Sequence, residues 1–248
     1  MSNNSKISWT TTTWNVTAGC NPISDGCKNC YAKVMAERLK AMGQTKYQNG
    51  FIPTIHPECL NEPFGWRGKK LVFVTSMGDL FHKNIPFDFI DKVMEVISQC
   101  PQHTFQILTK RAERMYEYFS THAIPENVWL GVTVENQKVK DRIDYLKNLN
   151  ASVRFLSCEP LLEDLGTLDL SDIEWVIVGG ESGNRARKVG KDWILNIKSQ
   201  CDAASTAFFF KQWGAWSDDG VKRSTKVNGS LLDGNEYHAY PTPRKIKP

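Results

Sequence analysis

The sequence predicts an α/β fold: a partial or near-complete parallel (β/α) barrel, TIM-like, of about six to seven strands, followed by a small C-terminal β appendage. Three observations predict it. Short, continuous apolar runs recur along the chain, as expected of strands buried on both faces. Segments of helical period separate most of them, and repeated strand–helix units imply right-handed crossovers. The 248 residues fall within the size range of a single α/β barrel.

Residues 9–17, rich in Thr, Trp and Val, read as an extended segment leading into a cysteine-bearing loop. From Cys30 the pattern turns helical, with Tyr31, Met35, Leu39 and Met42 recurring and Gly43 as a stop. Residues 44–70 carry Gly50, Pro53, Pro57, Pro63, Gly65 and Gly68 and read as an irregular insertion. The alternation then begins with LVFVT (71–75) as a strand and 86–99 as a helix whose face is Phe87, Ile90, Val93 or Met94, and Ile97. TFQILT (104–109) is the next strand and 112–120 the next helix. VWLGVTV (128–134) precedes a helix over 137–149 with Val139, Ile143 and Leu146 inward. VRFLS (153–157) and EWVIV (174–178) are strands, 192–203 is a helix aligning Ile194, Ile197 and Cys201, and AFFF (207–210) is the last buried strand. The barrel is thus expected over 1–215, with the cysteine loop at 20–30 and the insertion at 44–70. Residues 216–248 form the appendage, with Asn228-Gly229 and Asp233-Gly234 as hairpin turn signals and a basic end at 243–248.

Composition narrows the function classes. A hydrophobic content of 41% supports a full core and excludes a disordered chain. No run of eighteen apolar residues exists, so no membrane span is expected. The first residues lack the apolar stretch of a signal peptide, and the expected location is cytoplasmic. In that reducing compartment an odd count of seven cysteines is not a disulfide framework. The net charge of +4 is too mild to demand a polyanionic partner.

Three of the cysteines, Cys20, Cys27 and Cys30, fall in a C-x6-C-x2-C spacing, while Cys59, Cys100, Cys158 and Cys201 are dispersed and read as small buried apolar residues. Three thiolates suit a metal centre. They could hold zinc if His56 or Cys59 supplied a fourth ligand. They could equally hold a 4Fe–4S cluster with one iron left open. Structural zinc sites usually pair two C-x2-C knuckles, and the absence of a second knuckle favours the cluster.

In parallel α/β folds function gathers at the carboxyl ends of the strands. Here those ends carry Ser76 and Asp79, Lys110 and Arg111, Glu135, Glu159, the Gly179-Gly180-Glu181 turn, and Lys211. Asp79 and Glu135 could instead cap the following helices, and Lys110 or Arg111 could neutralise a carboxylate. The Gly179-Gly180 pair is not a dinucleotide fingerprint, but it would let a ligand approach the backbone, and Glu181 could hold an amino group or hydroxyls. His82 and His103 read as structural.

A three-cysteine loop ending Cys27-Lys28-Asn29-Cys30-Tyr31 at the first strand of a partial barrel resembles the radical S-adenosylmethionine superfamily. The Cys-x2-Cys-Tyr ending and segment 75–79 are most similar to its spore photoproduct lyase-like branch. Over nearly its whole length, through TWNVTAGC, GCKNCYA, SMGDLFH, PQHTFQILTKR, VWLGVTVENQ, VRFLSCEPL, WVIVGGESG and FFFKQWG, the chain resembles a phage and bacterial three-Cys-motif family. The superfamily's usual spacing is C-x3-C-x2-C with an aromatic before the last cysteine; here the first gap is six and Asn29 stands in that place. The resemblance implies that Cys20, Cys27 and Cys30 ligate a 4Fe–4S cluster whose open iron binds S-adenosylmethionine. Reductive cleavage of that cofactor to a 5′-deoxyadenosyl radical would drive a lyase or modification reaction. It makes Ser76, Asp79, Glu135, Glu159, Gly179, Gly180 and Glu181 candidates for cofactor binding, with no catalytic residue singled out.

The expected substrate is a nucleic-acid base or nucleotide, given Trp66, Arg67, Lys110, Arg111, Arg185, Arg187, Lys188, Lys211 and Trp213 near the barrel mouth. A reductant protein is the implied partner. The alternatives are a radical enzyme acting on a peptide or small metabolite, and a non-catalytic zinc- or cluster-bearing module that binds nucleic acid or protein.

Overall fold

The apolar runs pair side by side in the order in which they occur. The computed structural model describes residues 5–245. β1 (Thr12–Trp14) is followed by β2 (Thr17–Ala18), where the backbone turns out of the sheet. After α1 (Tyr31–Ala41), β3 (Thr54–Ile55) pairs antiparallel with β2, tying the irregular insertion to the start of the cysteine loop. Then come β4 (Leu71–Val74), α2 (Phe87–Ser98), β5 (Thr104–Thr109), α3 (Ala112–Phe119), β6 (Val128–Thr133) and α4 (Arg142–Lys147). β7 (Val153–Cys158), β8 (Trp175–Gly179), α5 (Lys191–Ala204), β9 (Ala207–Gln212) and the short α6 (Thr225–Asn228) complete the chain. The seven-stranded sheet has the order β1-β4-β5-β6-β7-β8-β9 with every neighbouring pair parallel, curled into a half-barrel.

The strands read as unbroken apolar runs because both faces are covered. On the convex face Val72, Val74, Ile107, Leu130, Val132, Val176 and Phe210 pack into the larger core with Ile90, Val93, Met115 and Ile194 from the helices. On the concave face Phe73, Trp129, Phe155, Trp175 and Phe209 form a second, aromatic cluster with Trp9. Gly131 makes room in it: a Cβ there would stand 2.4 Å from the Phe155 ring.

Segments from both ends of the chain close the N-terminal rim of the sheet. The Trp9 ring lies 4.7 Å from that of Phe73. The tail passes beneath β9, β8 and β7 through Ala239 N–H to Phe208 O (3.2 Å), Trp175 Nε1–H to Ala239 O (2.9 Å) and Arg244 N–H to Ser152 O (2.9 Å). Asp233 and Gly234 make the expected tight turn, both at positive φ, between the paired Leu232 and Asn235. Asn228-Gly229 instead ends α6, with Gly229 at φ 66. The expected basic end lies partly at 246–248, outside the described residues.

Two sequence expectations change. The helix expected over 137–149 splits into a 3-10 turn at Gln137–Val139 and α4. Its start is pinned from outside: Gln137 N–H donates to Glu163 Oε1 (2.7 Å), and Lys140 Nζ to Leu165 O (2.9 Å) and Thr167 O (2.6 Å). In α1 the buried residues are Ala32 and Ala36, packed with Met77, whereas Tyr31, Met35 and Met42 are exposed. Small side chains let this helix sit close over the strand ends, so its larger apolar residues face outward. No helix among the described residues is long and apolar enough to cross a membrane.

Candidate cofactor cavity at the carboxyl rim

A cavity of about 410 Å³ fills the upper part of the half-barrel. Trp9, Phe73 and Leu108 form its floor; Thr75, Thr109, Thr133, Ser157 and Lys211 its walls. Cys20, Cys27, Cys30, Tyr31 and Ala32 roof it. All three cysteines are half-buried with free thiols, while Cys59, Cys100, Cys158 and Cys201 are buried. The sequence therefore places the three loop cysteines on one cavity and the other four in the interior.

Close backbone packing starts the roof. Gly19, at φ 82, lies so near Ile52 that a Cβ would stand 2.3 Å from its carbonyl oxygen. Gly19 N–H donates to Met77 O (2.9 Å), Cys20 N–H to Phe51 O (3.1 Å), and Gly19 bridges Gly78 in parallel sense. Cys27 ends the 3-10 turn Asp25–Cys27, and Cys30 immediately precedes α1. Thr75, a non-glycine residue at φ 61, bends the exit of β4 under this loop, a conformation that only firm surroundings hold.

The loop between the cysteines is held by three carboxylate–arginine pairs, each from a different strand end. Asp79, buried, accepts hydrogen bonds from Thr109 Oγ1–H (2.7 Å) and Phe81 N–H (3.0 Å) and pairs with Arg111 Nη1 (2.8 Å). Arg111 in turn reaches Cys20 Sγ (3.3 Å) and the Asn21 carbonyl (3.0 Å). Glu135, with no exposed surface, accepts from Gly26 N–H (3.2 Å) and pairs with buried Arg142 (2.9 Å). Glu181 accepts from Asn29 Nδ2–H (3.0 Å) and pairs with Arg187, which donates to the Asp25 carbonyl (3.0 Å). Two further ties complete the frame: His82 Nε2 meets Asn21 Oδ1 at 2.9 Å, and Asn136 Nδ2–H donates to Asp25 Oδ2 at 2.9 Å. His82 Nδ1 accepts from Asn84 N–H, so Nε2 carries the proton toward Asn21.

Electrostatics follow this geometry. Burial, and then the neighbouring Asp79, push the Cys20 thiol up, partly offset by Arg111. Burial opposes ionisation of Glu181, but the hydrogen bonds from Arg187 and Asn29 win and hold its carboxyl below the ordinary value. His82 is lowered by burial and by Arg111.

The predicted residues divide. Asp79, Ser76 and Glu159 border the cavity together with Lys110, Arg111 and Lys211. Ser76 Oγ donates to Asn15 Oδ1 (3.1 Å), and its carbonyl accepts from Tyr31 Oη–H (2.6 Å). Glu159 pairs with Lys211 (2.8 Å) and accepts from Ser157 Oγ–H (3.2 Å). Glu135, Glu181, Gly179 and Gly180 stand behind the lining. What approaches the glycine pair is the chain itself: a Cβ on Gly180 would meet Trp213 O at 1.9 Å, and one on Gly179 would meet Glu159 Oε1 at 3.0 Å.

His56 and Cys59, the candidate fourth zinc ligands, do not border the cavity; His56 pairs with Glu58 and Cys59 receives Lys46 Nζ at 3.1 Å. Trp66 packs at a tilt against His103 and Trp213 edge-on against Phe210, and neither borders the cavity. Sequence reasoning missed Asn21, Asn29 and Arg142 and underused Arg187. The available signal was an arginine six or seven residues beyond a strand-end glutamate, in Glu181/Arg187 and Glu135/Arg142. Among the described residues no group of three or more His, Cys, Asp or Glu side chains stands ready to hold a single metal ion.

Residues 4–241 match the family described as "Protein of unknown function (DUF5131)", and the chain belongs to that family. No curated protein sequence matches it. Two solved structures of spore photoproduct lyase resemble it at 12% and 11% identity, each with a TM-score of 0.49. One is a mutant with bound AdoMet and dinucleoside spore photoproduct, the other a complex with dinucleoside spore photoproduct. Each likeness covers 81% of this chain and 63% of the lyase chain, so the chain spans less than two thirds of those proteins.

Proposed function

We propose that this DUF5131 protein is a radical S-adenosylmethionine-type enzyme whose iron–sulfur cluster is held by Cys20, Cys27 and Cys30. The observation that carries this reading is the meeting of three half-buried cysteines on one cavity, on a loop fixed by three carboxylate–arginine pairs. The donor set fits a cluster better than zinc. A single tetrahedral ion needs its sulfurs gathered about 2.3 Å from one point, with a fourth donor. The two candidate fourth donors, His56 and Cys59, do not border the cavity that the three cysteines share. A cluster takes one thiolate at each of several separated irons.

Cys20, Cys27 and Cys30 would hold the cluster there, and its chemistry would be one-electron reduction of S-adenosylmethionine to methionine and a 5′-deoxyadenosyl radical. The chain's own residues prepare the place. The aromatic floor and the α1 roof bound the cavity from below and above, where a bound cofactor would be shielded from bulk water. Asp79 and Arg111 fix the Cys20 end of the loop, Glu135 the middle, and Glu181 with Asn29 the approach to Cys30. Ser76 and Glu159, on the lining, are assigned to the cofactor's amino group or ribose hydroxyls. Glu135, Glu181, Gly179 and Gly180 serve the loop and the wall instead. The substrate class proposed is a nucleic-acid base or nucleotide, and the electron comes from a reductant protein.

The test is formation of 5′-deoxyadenosine from S-adenosylmethionine by anaerobically prepared full-length protein under dithionite. Turnover that disappears in Cys27→Ala supports the reading. An iron-loaded protein that leaves S-adenosylmethionine intact would show a cluster-bearing binding module instead.

A further inference from the structure

The outer side of the cysteine loop carries a second concavity, a groove of about 610 Å³ between α1 and the loop at 182–185. Lys28, Lys33, Arg38 and Arg185 border it, and no acidic side chain does. None of these four makes an ion pair among the described residues, although most of the chain's arginines do. The path continues past the groove: the carbonyl of Asn184 accepts from Lys222 Nζ, and Lys222 and Lys188 both lie over the Trp216 ring, at 5.5 and 4.6 Å. Six cations with two aromatic rings thus follow one course on a chain whose net charge is only +4. Unpaired like charges repel one another, so such a stripe is complementary to an extended polyanion.

The second observation is a shared wall. Cys30, Tyr31 and Ser182 border both this groove and the inner cavity. Tyr31 is 55% exposed at that junction, while its hydroxyl is anchored on Ser76 O.

We infer that the groove binds single-stranded nucleic acid, its phosphates along the cations and a base on Tyr31 where the groove meets the cavity. Stacking on an aromatic plane within a basic channel is the usual means of holding single strands. A folded acidic protein could meet the lysine tips but could not pass a unit beyond Tyr31; a flexible strand can do both. Delivery of one base into the cavity rests on the function proposed above, whereas strand binding in the groove does not.

The experiment is fluorescence anisotropy with labelled single-stranded thymidine and uridine oligomers of about twelve nucleotides, using metal-free full-length protein over a range of salt. Binding should weaken with salt along a log–log slope of about −0.7 per phosphate contacted, or about −3 to −4 in all. A Lys33→Glu/Arg38→Glu/Arg185→Glu variant should bind at least about tenfold more weakly with a shallower slope. Lys92→Glu, on α2, should change nothing. Unaltered affinity in the triple variant, or equal competition by a glutamate oligomer of the same charge, would overturn the inference. Thermal unfolding and iron content of the triple variant, expected to match wild type, guard against misfolding. Strand binding by a chain that takes up no iron would leave the groove standing while the radical reading fell.

Discussion

The two rims of the half-barrel are made by the same strands and are built on opposite principles. The N-terminal rim is packed: Trp9, Phe73, Trp129, Phe155, Trp175 and Phe209 interlock, and the tail seals them from below. The carboxyl rim is tethered: its carboxylates are buried but satisfied, and they hold a loop rather than a core. Apolar packing is therefore concentrated below the cavity and polar, ion-paired side chains above it. A strand-end carboxylate in such a fold can serve to hold a loop, as Glu135 and Glu181 do here.

That contrast can be broken at either end. The largest expected effect is on the metal: Cys27→Ala should lower iron from about four per chain to below one. The stability of the metal-free protein should hardly move, because among the described residues the thiol's one side-chain hydrogen-bond partner is Ser24 Oγ, at 3.9 Å. Trp175→Ala should do the reverse, costing about 3–5 kcal/mol in urea unfolding while iron per folded chain stays constant. Glu135→Ala should act on both rims' properties together. It leaves Arg142 buried without its partner, at about 3–5 kcal/mol, and frees Gly26, so iron uptake should fall with stability. A Glu135→Ala protein as stable as wild type would contradict the tether.

Smaller effects sharpen the comparison. Gly131→Ala, crowding Phe155, should cost about 1–3 kcal/mol by the same assay without touching iron content. The smallest is a pH effect far from the loop. His103 is buried beside Trp66 and Phe105, and burial holds its imidazolium below the ordinary value. The unfolded chain then binds the proton more readily than the folded one. Stability should be complete above about pH 6.5 and decline as the pH falls below it. His103→Phe should reduce that decline in urea midpoints measured between about pH 7 and pH 5, with the remainder coming from His56 and His82, which burial lowers likewise.

Much of the fold was legible because buried parallel strands advertise themselves. LVFVT, VWLGVTV and EWVIV have no other economical reading, and β4, β6 and β8 follow them closely. What local pattern could not carry was orientation set by distant contacts. The period of α1 is visible in the sequence, but its buried face is the alanine face, chosen by the closeness of Met77. The break before α4 comes from residues 163–167, which no window around 137–149 contains.

The site shows the same division. Cys20, Cys27 and Cys30 and the polar strand ends stand out by spacing and position, and the cavity brings the cysteines together with Ser76, Asp79 and Glu159. The partners of the carboxylates do not stand out. Asn29 and Glu181 are 152 positions apart and Gly26 and Glu135 are 109 apart, so only the folded half-barrel shows how the six-residue gap is held. The gap gives the loop enough length to be held at Asn21, Asp25 and Gly26 between its first two cysteines.

On the function proposed above, this loop carries a cluster and not a single ion. Iron and acid-labile sulfide should therefore be determined on full-length protein purified without oxygen and reconstituted. About four irons and four sulfides per chain are expected, lost together in Cys27→Ala. One tightly held zinc per chain with no sulfide would contradict it.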